Sequence, residues 1–238
     1  LIEACRKLGV ETGSIPKWQA MLAKIPDYMV NENGAIKEWI HKSLGENYDH
    51  RHESHLYPAW PGFEISPNTP ELFAAARRAL ELRRPANYSA HGFMHKALIA
   101  ARLKMPQMLR DSLAEILGHD FIHSGGATSH YPGRVYNLDA CLSLPTVVME
   151  MLIFSSPGAI ELLPALPADL PKGCIRGVLC RGGVTVEELA WDISAGKVRV
   201  RLLSKTEQKV HISAWGRGRE MRLPAGQSMV FEVNSGNG

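Results

Sequence analysis

The chain has 238 residues, of which 45% are apolar and 21% are charged, with a formal net charge of +3. This length and composition provide ordinary hydrophobic cores for one large domain or two smaller ones. The positive excess is small and scattered, which argues against a nucleic-acid partner, and no run of about eighteen apolar residues exists, which argues against a membrane span.

The chain opens on LIEACRKLGV, which has the pattern of the last turns of a helix. It begins with no methionine and no signal-like segment. We therefore expect these residues to be the C-terminal part of a longer protein, with the N-terminal half of the same protein as a partner. Localisation stays open on the sequence alone.

Helical patterns dominate up to about residue 155, where apolar residues recur at helical spacing. Five segments show the pattern: residues 16–29, interrupted by Pro26, and residues 71–83, 91–103, 106–121 and 144–155. Asn68, Thr69 and Pro70 supply cap and first-turn residues for the second segment. The long polar loops 30–66 and 122–138 lie between these helices, and loops of this length in compact domains usually serve a function.

The pattern changes after the segment SSPGAIELLPALPADLPKG, which ends at residue 173. Residues 197–204, 209–215 and 228–233 alternate or are rich in β-branched and aromatic residues, and glycine-containing turns separate them. This predicts an antiparallel β module. We place the boundary between a helical part, residues 1–165, and a β part, residues 166–238.

Three histidines cluster in HRHESHL, residues 50–56. His50, His52 and His55 approach the H-x-H-x-D-H signature of metallo-β-lactamase-like zinc hydrolases, but the aspartate position is Ser54 and the preceding LGENYD is polar. No downstream ligand set follows, so we predict no metal and no other cofactor, and a zinc hydrolase is an alternative interpretation. The four cysteines form no CxxC pair and are predicted to be buried free thiols: Cys5, Cys141, Cys174 and Cys180.

Two carboxylates combine apolar flanks with nearby polar loops. Glu38 is flanked by Ile36, Trp39 and Ile40, and loss of water there favours the protonated carboxyl that a general acid requires. Taken alone, a surface glutamate on an edge strand is the simpler interpretation. Asp139 begins the most apolar helical segment, either as its cap or as a group that points into a cleft. No nucleophile elbow, phosphate loop or dinucleotide fingerprint is present.

Several motifs together resemble glycoside hydrolase family 95, which contains inverting α-L-fucosidases and some α-L-galactosidases. They are, in order, GAIKEW, HRHESHLYPAWPG, KALIAARL, LDACLSLPTVVMEML and GAIELLPALPADLPKGCIRGVLCRGG. The resemblance extends from about residue 30 to 190. It implies a mainly α chain: the second half of an (α/α)₆ barrel, followed by a small C-terminal antiparallel β domain. It also implies an oligosaccharide or glycoconjugate substrate and a secreted, periplasmic or cell-surface location.

The resemblance also implies roles for individual residues. Glu38 matches the general acid, and Asp139 matches the aspartate that polarises a water-activating asparagine. Arg51 and His52 match positions that bind sugar hydroxyls, so the histidine cluster is interpreted as a sugar-binding wall and loop brace. Trp39 and His55 complete the predicted substrate-binding set. The asparagines precede residue 1, so this fragment alone is expected to be inactive.

The chain departs from the family pattern at several positions: Ala140, Cys141, Leu142 and Ser143 replace Gly-Asn-Phe-Gly, Ala100 replaces a tryptophan, and Lys37 replaces a glutamine. A non-catalytic glycan-binding relative is therefore a third interpretation. The resemblance also makes a geometric prediction. Glu38, Arg51, His52 and Asp139 should converge on one cleft, with the two carboxyl groups separated by about 6.5–9.5 Å as in inverting glycosidases.

Overall fold

The structure is a computed structural model that describes residues 1–84 and 88–234. In these ranges a helical part is followed by a part made of β-strands. The α-helices are α1 (Ile2–Leu8), α2 (Ile15–Leu22), α3 (Pro70–Leu82), α4 (Ala90–Arg102), α5 (Pro106–Gly118) and α6 (Asp139–Leu152). No helix within the described ranges is both long and apolar enough to cross a membrane.

Helix α4 is the centre of the helical part, because it packs against α3, α5 and α6. Its N-cap is Ser89, whose hydroxyl accepts a hydrogen bond from the Gly92 amide at 3.3 Å, as capping serines commonly do. Met94, Leu98 and Ile99 are buried in the core. The predicted helices 71–83 and 91–103 are confirmed to within one residue at each end.

Helix α6 differs from its prediction at both ends. It begins at Asp139, five residues before the predicted start at 144, and carries Pro145 inside it. The start at Asp139 agrees with the interpretation of that residue as the beginning of this helical segment. The helix ends at Leu152, since Ile153 takes an extended conformation and begins a strand.

Ten strands follow or interrupt the helices in the described part of the chain. They are β1 (Thr128–Tyr131), β2 (Arg134–Asn137), β3 (Ile153–Ser156), β4 (Ala159–Leu162), β5 (Lys172–Cys180), β6 (Val184–Asp192), β7 (Lys197–Ser204), β8 (Gln208–Ala214), β9 (Arg217–Leu223) and β10 (Ser228–Asn234). β1 and β2 form a hairpin just before α6. The others form two four-stranded sheets, in the orders β10-β7-β6-β5 and β3-β4-β8-β9.

The β part begins at Ile153, earlier than the boundary between 165 and 166 that the sequence suggested. Strands β3 and β4 belong to it because β4 pairs with β8, and this pair is parallel rather than antiparallel. The other strand pairs described are antiparallel, as predicted. With ten strands described beside six α-helices, the chain combines an α part and a β part and is not mainly α.

A buried ion pair lies where the helical part meets the sheets. Arg102 of α4 donates from Nε and Nη2 to the two carboxylate oxygens of Glu150 in α6, at 2.6 and 2.9 Å. The guanidinium lies over the rings of Phe63 and Phe154, 4.9 and 4.3 Å from their centroids. Because Phe154 belongs to β3, this cluster joins a loop, two helices and the β3-β4-β8-β9 sheet.

The cysteine prediction is confirmed in part. Every cysteine in the chain is free, and Cys5 and Cys180 are buried. Cys141 is half-buried and Cys174 is exposed, so burial was predicted wrongly for these two. Cys174 has apolar neighbours in sequence, but successive residues of a strand point to opposite faces, so its neighbours do not determine its burial.

Candidate active site

The histidine-rich loop packs closely onto the start of α4. Leu56 is fully buried and anchors the loop in the core. A Cβ atom at Gly92 would lie 3.3 Å from the Arg51 carbonyl oxygen, so the small residue permits the approach of this backbone. The ring centroids of His52 and His91 are consequently only 5.0 Å apart.

A cleft of about 340 Å³ opens between this loop, α4 and the start of α6. Its lining residues are Trp60, His91, Met94, His95, Leu98, Asp139, Leu142 and Ser143. His91 and His95 are one helical turn apart on α4 and therefore project from the same face of that helix. An apolar concave surface with a few convergent polar groups is the usual form of a small-ligand site.

Asp139 is the polar group that α6 contributes to the cleft. Its Oδ2 accepts a hydrogen bond from Asn137 Nδ2 at 2.8 Å and lies 3.6 Å from His91 Nδ1. Asn137 Oδ1 accepts a hydrogen bond from the Ala140 amide at 3.1 Å, so Asn137 supplies an amide acceptor at this helix start. The Asp139 side chain is 54% exposed, and it is therefore available to a ligand in the cleft.

Glu38 lies beside a buried cation. Its Oε2 is 3.2 Å from Arg83 Nη2, and the Arg83 side chain is only 2% exposed. Arg83 also donates to the Asn47 carbonyl oxygen and contacts His55 Nδ1 at 3.3 Å. The Glu38 amide donates to Glu46 Oε2 at 2.9 Å. The structure therefore places a buried guanidinium at this carboxyl, in addition to the apolar flanks seen in the sequence.

The predicted site residues are brought together only in part. The ring of His52 contacts the ring of His91, which lines the cleft and also contacts Asp139. Glu38 is not among the described residues that line the cleft. Trp39, predicted to bind substrate, is 49% exposed. The separation of the Glu38 and Asp139 carboxyl groups stays a prediction.

Arg51 lies at the start of the loop, and its Nε is buried without a hydrogen-bond partner among the described residues. A buried donor that lacks a partner carries a cost in free energy, so this group can gain from a ligand acceptor. The sugar-binding role of Arg51 stays a prediction.

Burial lowers the pKa of three histidines in this region, which favours their uncharged form. It lowers the pKa of His55 to about 3, with the charges of Arg83 and His95 as further causes. Burial, followed by the neighbouring His91 and Arg51, also lowers the pKa of His52. The pKa of His91 is lowered by burial and then by His95. Neutral imidazoles offer one donor and one acceptor each, which suits hydroxyl groups.

The geometry does not support the zinc interpretation. His55 Nδ1 faces the Arg83 guanidinium at 3.3 Å, and a cation in that position keeps this nitrogen from joining His50 and His52 around a metal. Within residues 1–84 and 88–234, no three His, Cys, Asp or Glu side chains are arranged to hold a metal ion.

Comparison with known proteins identifies the family. The description "Glycosyl hydrolase family 95 catalytic domain" matches residues 1–152, and "Glycoside hydrolase family 95, C-terminal domain" matches residues 154–237. The chain belongs to glycoside hydrolase family 95. The two matches meet at the junction of α6 and β3, where the structure also changes from helices to strands.

Two curated relatives are named as fucosidases. "Alpha-L-fucosidase 2" from Arabidopsis thaliana is 34% identical over 184 residues, which cover 72% of this chain and 21% of that protein. "Probable alpha-fucosidase A" from Aspergillus oryzae (strain ATCC 42149 / RIB 40) is 29% identical over 189 residues, which cover 67% of this chain and 25% of that protein. The chain thus spans a quarter or less of the length of these relatives.

Several polar residues near the cleft were not singled out from the sequence. His91 and His95 were included in a helix, although their spacing of four places two imidazoles on one helix face. Glu53, inside the histidine motif, is buried and lies next to His95. Arg83 was not singled out either, yet it is the buried partner of Glu38. The spacing of His91 and His95 could have indicated this site from the sequence. The contacts of Glu53 and Arg83 depend on tertiary packing, which the sequence pattern does not show.

The low pKa of His55 predicts acid sensitivity of the fold. The unfolded chain binds a proton at His55 below its ordinary pKa of 6.5, whereas the folded chain does not until about pH 3. Stability should therefore fall as pH decreases from 6.5 toward 3. Urea unfolding at several pH values should show a shallower decline for His55→Gln. The exposed-histidine variant His211→Gln should keep the original slope, and an unchanged slope in His55→Gln would contradict the assignment.

Proposed function

We propose that the full-length protein containing this chain is a glycosidase that removes terminal α-L-fucosyl or α-L-galactosyl residues from glycans with inversion of configuration. The observation that carries the proposal is the cleft of about 340 Å³ in the family 95 catalytic region, where Asp139, His91 and His95 meet an indole ring, Trp60. Directional polar groups beside an aromatic wall suit a sugar, which has hydroxyl groups and an apolar face.

In the proposed reaction Glu38 donates a proton to the glycosidic oxygen as the bond to the anomeric carbon breaks. Water attacks that carbon from the opposite face and loses its proton to a base assembly that Asp139 polarises. Because only a protonated carboxyl can donate, Glu38 has to leave its ion pair with Arg83 and take up a proton from water before the reaction. Arg51 and His52 hold sugar hydroxyls, and His55 and Trp39 support the wall of the site.

We further propose that the helices are part of a larger (α/α)₆ barrel completed by the N-terminal half of the protein. Helices α1 and α2 leave a large apolar surface uncovered, with Leu8, Met21, Leu22 and Ile25 more than half exposed. Part of this surface forms a groove of about 440 Å³. Covering it with further barrel helices would remove this surface from water, which is favourable. Residues 1–238 alone are accordingly expected to show no turnover.

A direct test is hydrolysis of nitrophenyl α-L-fucoside by the full-length protein, followed by NMR of the sugar first released. Inversion gives the β-anomer before mutarotation, and initial release of the α-anomer would contradict the mechanism. Activity should survive treatment with a chelator, whereas loss of activity that zinc restores would favour the metal interpretation. The rate on nitrophenyl α-L-galactoside then shows which of the two sugars is preferred.

A non-catalytic glycan-binding role is the second candidate. The pairing of Glu38 with Arg83 favours it, because the pair occupies the carboxyl that the reaction needs as an acid. The replacement of Gly-Asn-Phe-Gly after Asp139 points in the same direction. A protein of this kind would bind the sugar in the same cleft and release no product.

A further inference from the structure

Glu53 is a buried carboxylate directly behind the cleft. The residue is 3% exposed, and its Oε2 lies 3.4 Å from His95 Nδ1. Both atoms are buried, and neither has a hydrogen-bond partner among the described residues. Because an unpaired buried carboxylate is costly, the imidazole that faces it is its natural partner. Lys96 is also near enough for Glu53 to affect its pKa, but it lines a groove between α4 and α5.

His95 connects this carboxylate to the cleft. The imidazole lines the cleft with Asp139, and its ring centroid is 5.8 Å from that of Trp60, in an edge-to-face arrangement. Since Nδ1 faces Glu53, Nε2 is the ring nitrogen left for a ligand. A carboxylate at one ring nitrogen sets the tautomer, with the proton on Nδ1, and leaves Nε2 as an acceptor.

We propose that His95 accepts a hydrogen bond from one hydroxyl of the bound sugar, and that Glu53 is the positioning residue that fixes its ring. The inference rests on the proposed function, which places a sugar in this cleft. It adds a specificity determinant that the sequence motifs did not indicate. His91 stands in a parallel relation to Asp139, at 3.6 Å, so two imidazoles one turn apart each have a carboxylate partner.

The role of His95 can be tested with deoxy sugars. The full-length protein and its variants would be assayed on nitrophenyl α-L-fucoside and on its 2-, 3- and 4-deoxy analogues. Loss of one buried hydrogen bond should lower kcat/KM of the unmodified enzyme by roughly ten- to a hundred-fold for one analogue. His95→Ala should lower kcat/KM on the parent fucoside by a similar factor. Its kcat/KM on that analogue should then equal its kcat/KM on the parent fucoside. If His95→Ala keeps the full penalty for every deoxy position, the inference is overturned.

Glu53 is tested by graded replacement. Glu53→Leu should resemble His95→Ala in its response to the deoxy series. Glu53→Gln should recover part of kcat/KM, because its amide oxygen can still accept from Nδ1. Equal effects of Gln and Leu across all analogues would contradict a positioning role. His211→Gln, on the exposed face of β8, is the matched control and should behave as the unmodified protein. His95→Gln replaces His95→Ala if the alanine variant does not fold.

Failure of this inference is separable from failure of the proposed function. If the unmodified protein cleaves neither the fucoside nor the galactoside, the hydrolase proposal fails. Binding of free L-fucose and L-galactose, measured by calorimetry, then tests whether His95 contacts the bound sugar. A ten-fold or greater loss of affinity in His95→Ala supports the inference. Unchanged affinity, or no binding of either sugar by the unmodified protein, overturns it.

Discussion

Replacing Glu38 by Gln in the full-length protein is expected to lower kcat by about 10²–10⁴-fold, the usual contribution of a general acid. Glutamine keeps the shape of the side chain but has no proton to give to the glycosidic oxygen. Affinity for the glycan should stay within a few-fold, because the hydroxyl-binding groups at the cleft are untouched. The measurement is kcat and KM on a natural fucosylated oligosaccharide.

The leaving group provides an internal check on this assignment. A dinitrophenyl group departs with little help from a proton, so Glu38→Gln should lose less activity on a dinitrophenyl fucoside than on the oligosaccharide. Glu32→Gln replaces an exposed glutamate of the same loop and should change neither rate. Equal losses on both substrates would show that Glu38 acts through structure, for example through its ion pair with Arg83.

Sequence analysis predicts a helix well where apolar residues recur at helical spacing. In α3, the stripe of Ala75, Ala76, Ala79 and Leu80 is buried as its spacing indicates. The strands β3 and β4 were missed because their assignment depends on a partner far along the chain. β4 pairs with β8, and no local pattern announces a parallel partner across that distance. The SPG turn between β3 and β4 was the one local signal, with Gly158 at a φ of 82°.

The candidate site shows the same division between local and long-range information. The apolar flanks of Glu38 suggested an apolar environment, but flanking residues do not reveal which side chain packs against the carboxyl. That side chain is Arg83, which directly follows the last residue of α3. By contrast, the concentration of histidines in one loop was visible in the sequence, and the structure places His52 beside His91 at the cleft.

The second large effect is expected at the ion pair between Arg102 and Glu150. Removing one partner, as in Arg102→Met, leaves the other charge buried without compensation, which typically destabilises a fold by about 3–5 kcal/mol. The side chains are only 6% and 10% exposed, so water cannot replace the missing partner. Urea unfolding monitored by tryptophan fluorescence should show this loss of stability as a lower midpoint for the transition of the catalytic region.

An exposed ion pair serves as the control that separates the effect of burial from the loss of an ion pair as such. Arg110 and Asp169 also form an ion pair, at 2.9 Å, but both side chains are about half exposed. Arg110→Met should therefore leave the urea midpoint close to that of the unmodified protein. The double variant Arg102→Met with Glu150→Leu should recover much of the stability, because it removes both charges and keeps apolar groups between Phe63 and Phe154. If Arg102→Met lowers the urea midpoint no more than Arg110→Met does, the pair does not hold the helices against the β3-β4-β8-β9 sheet.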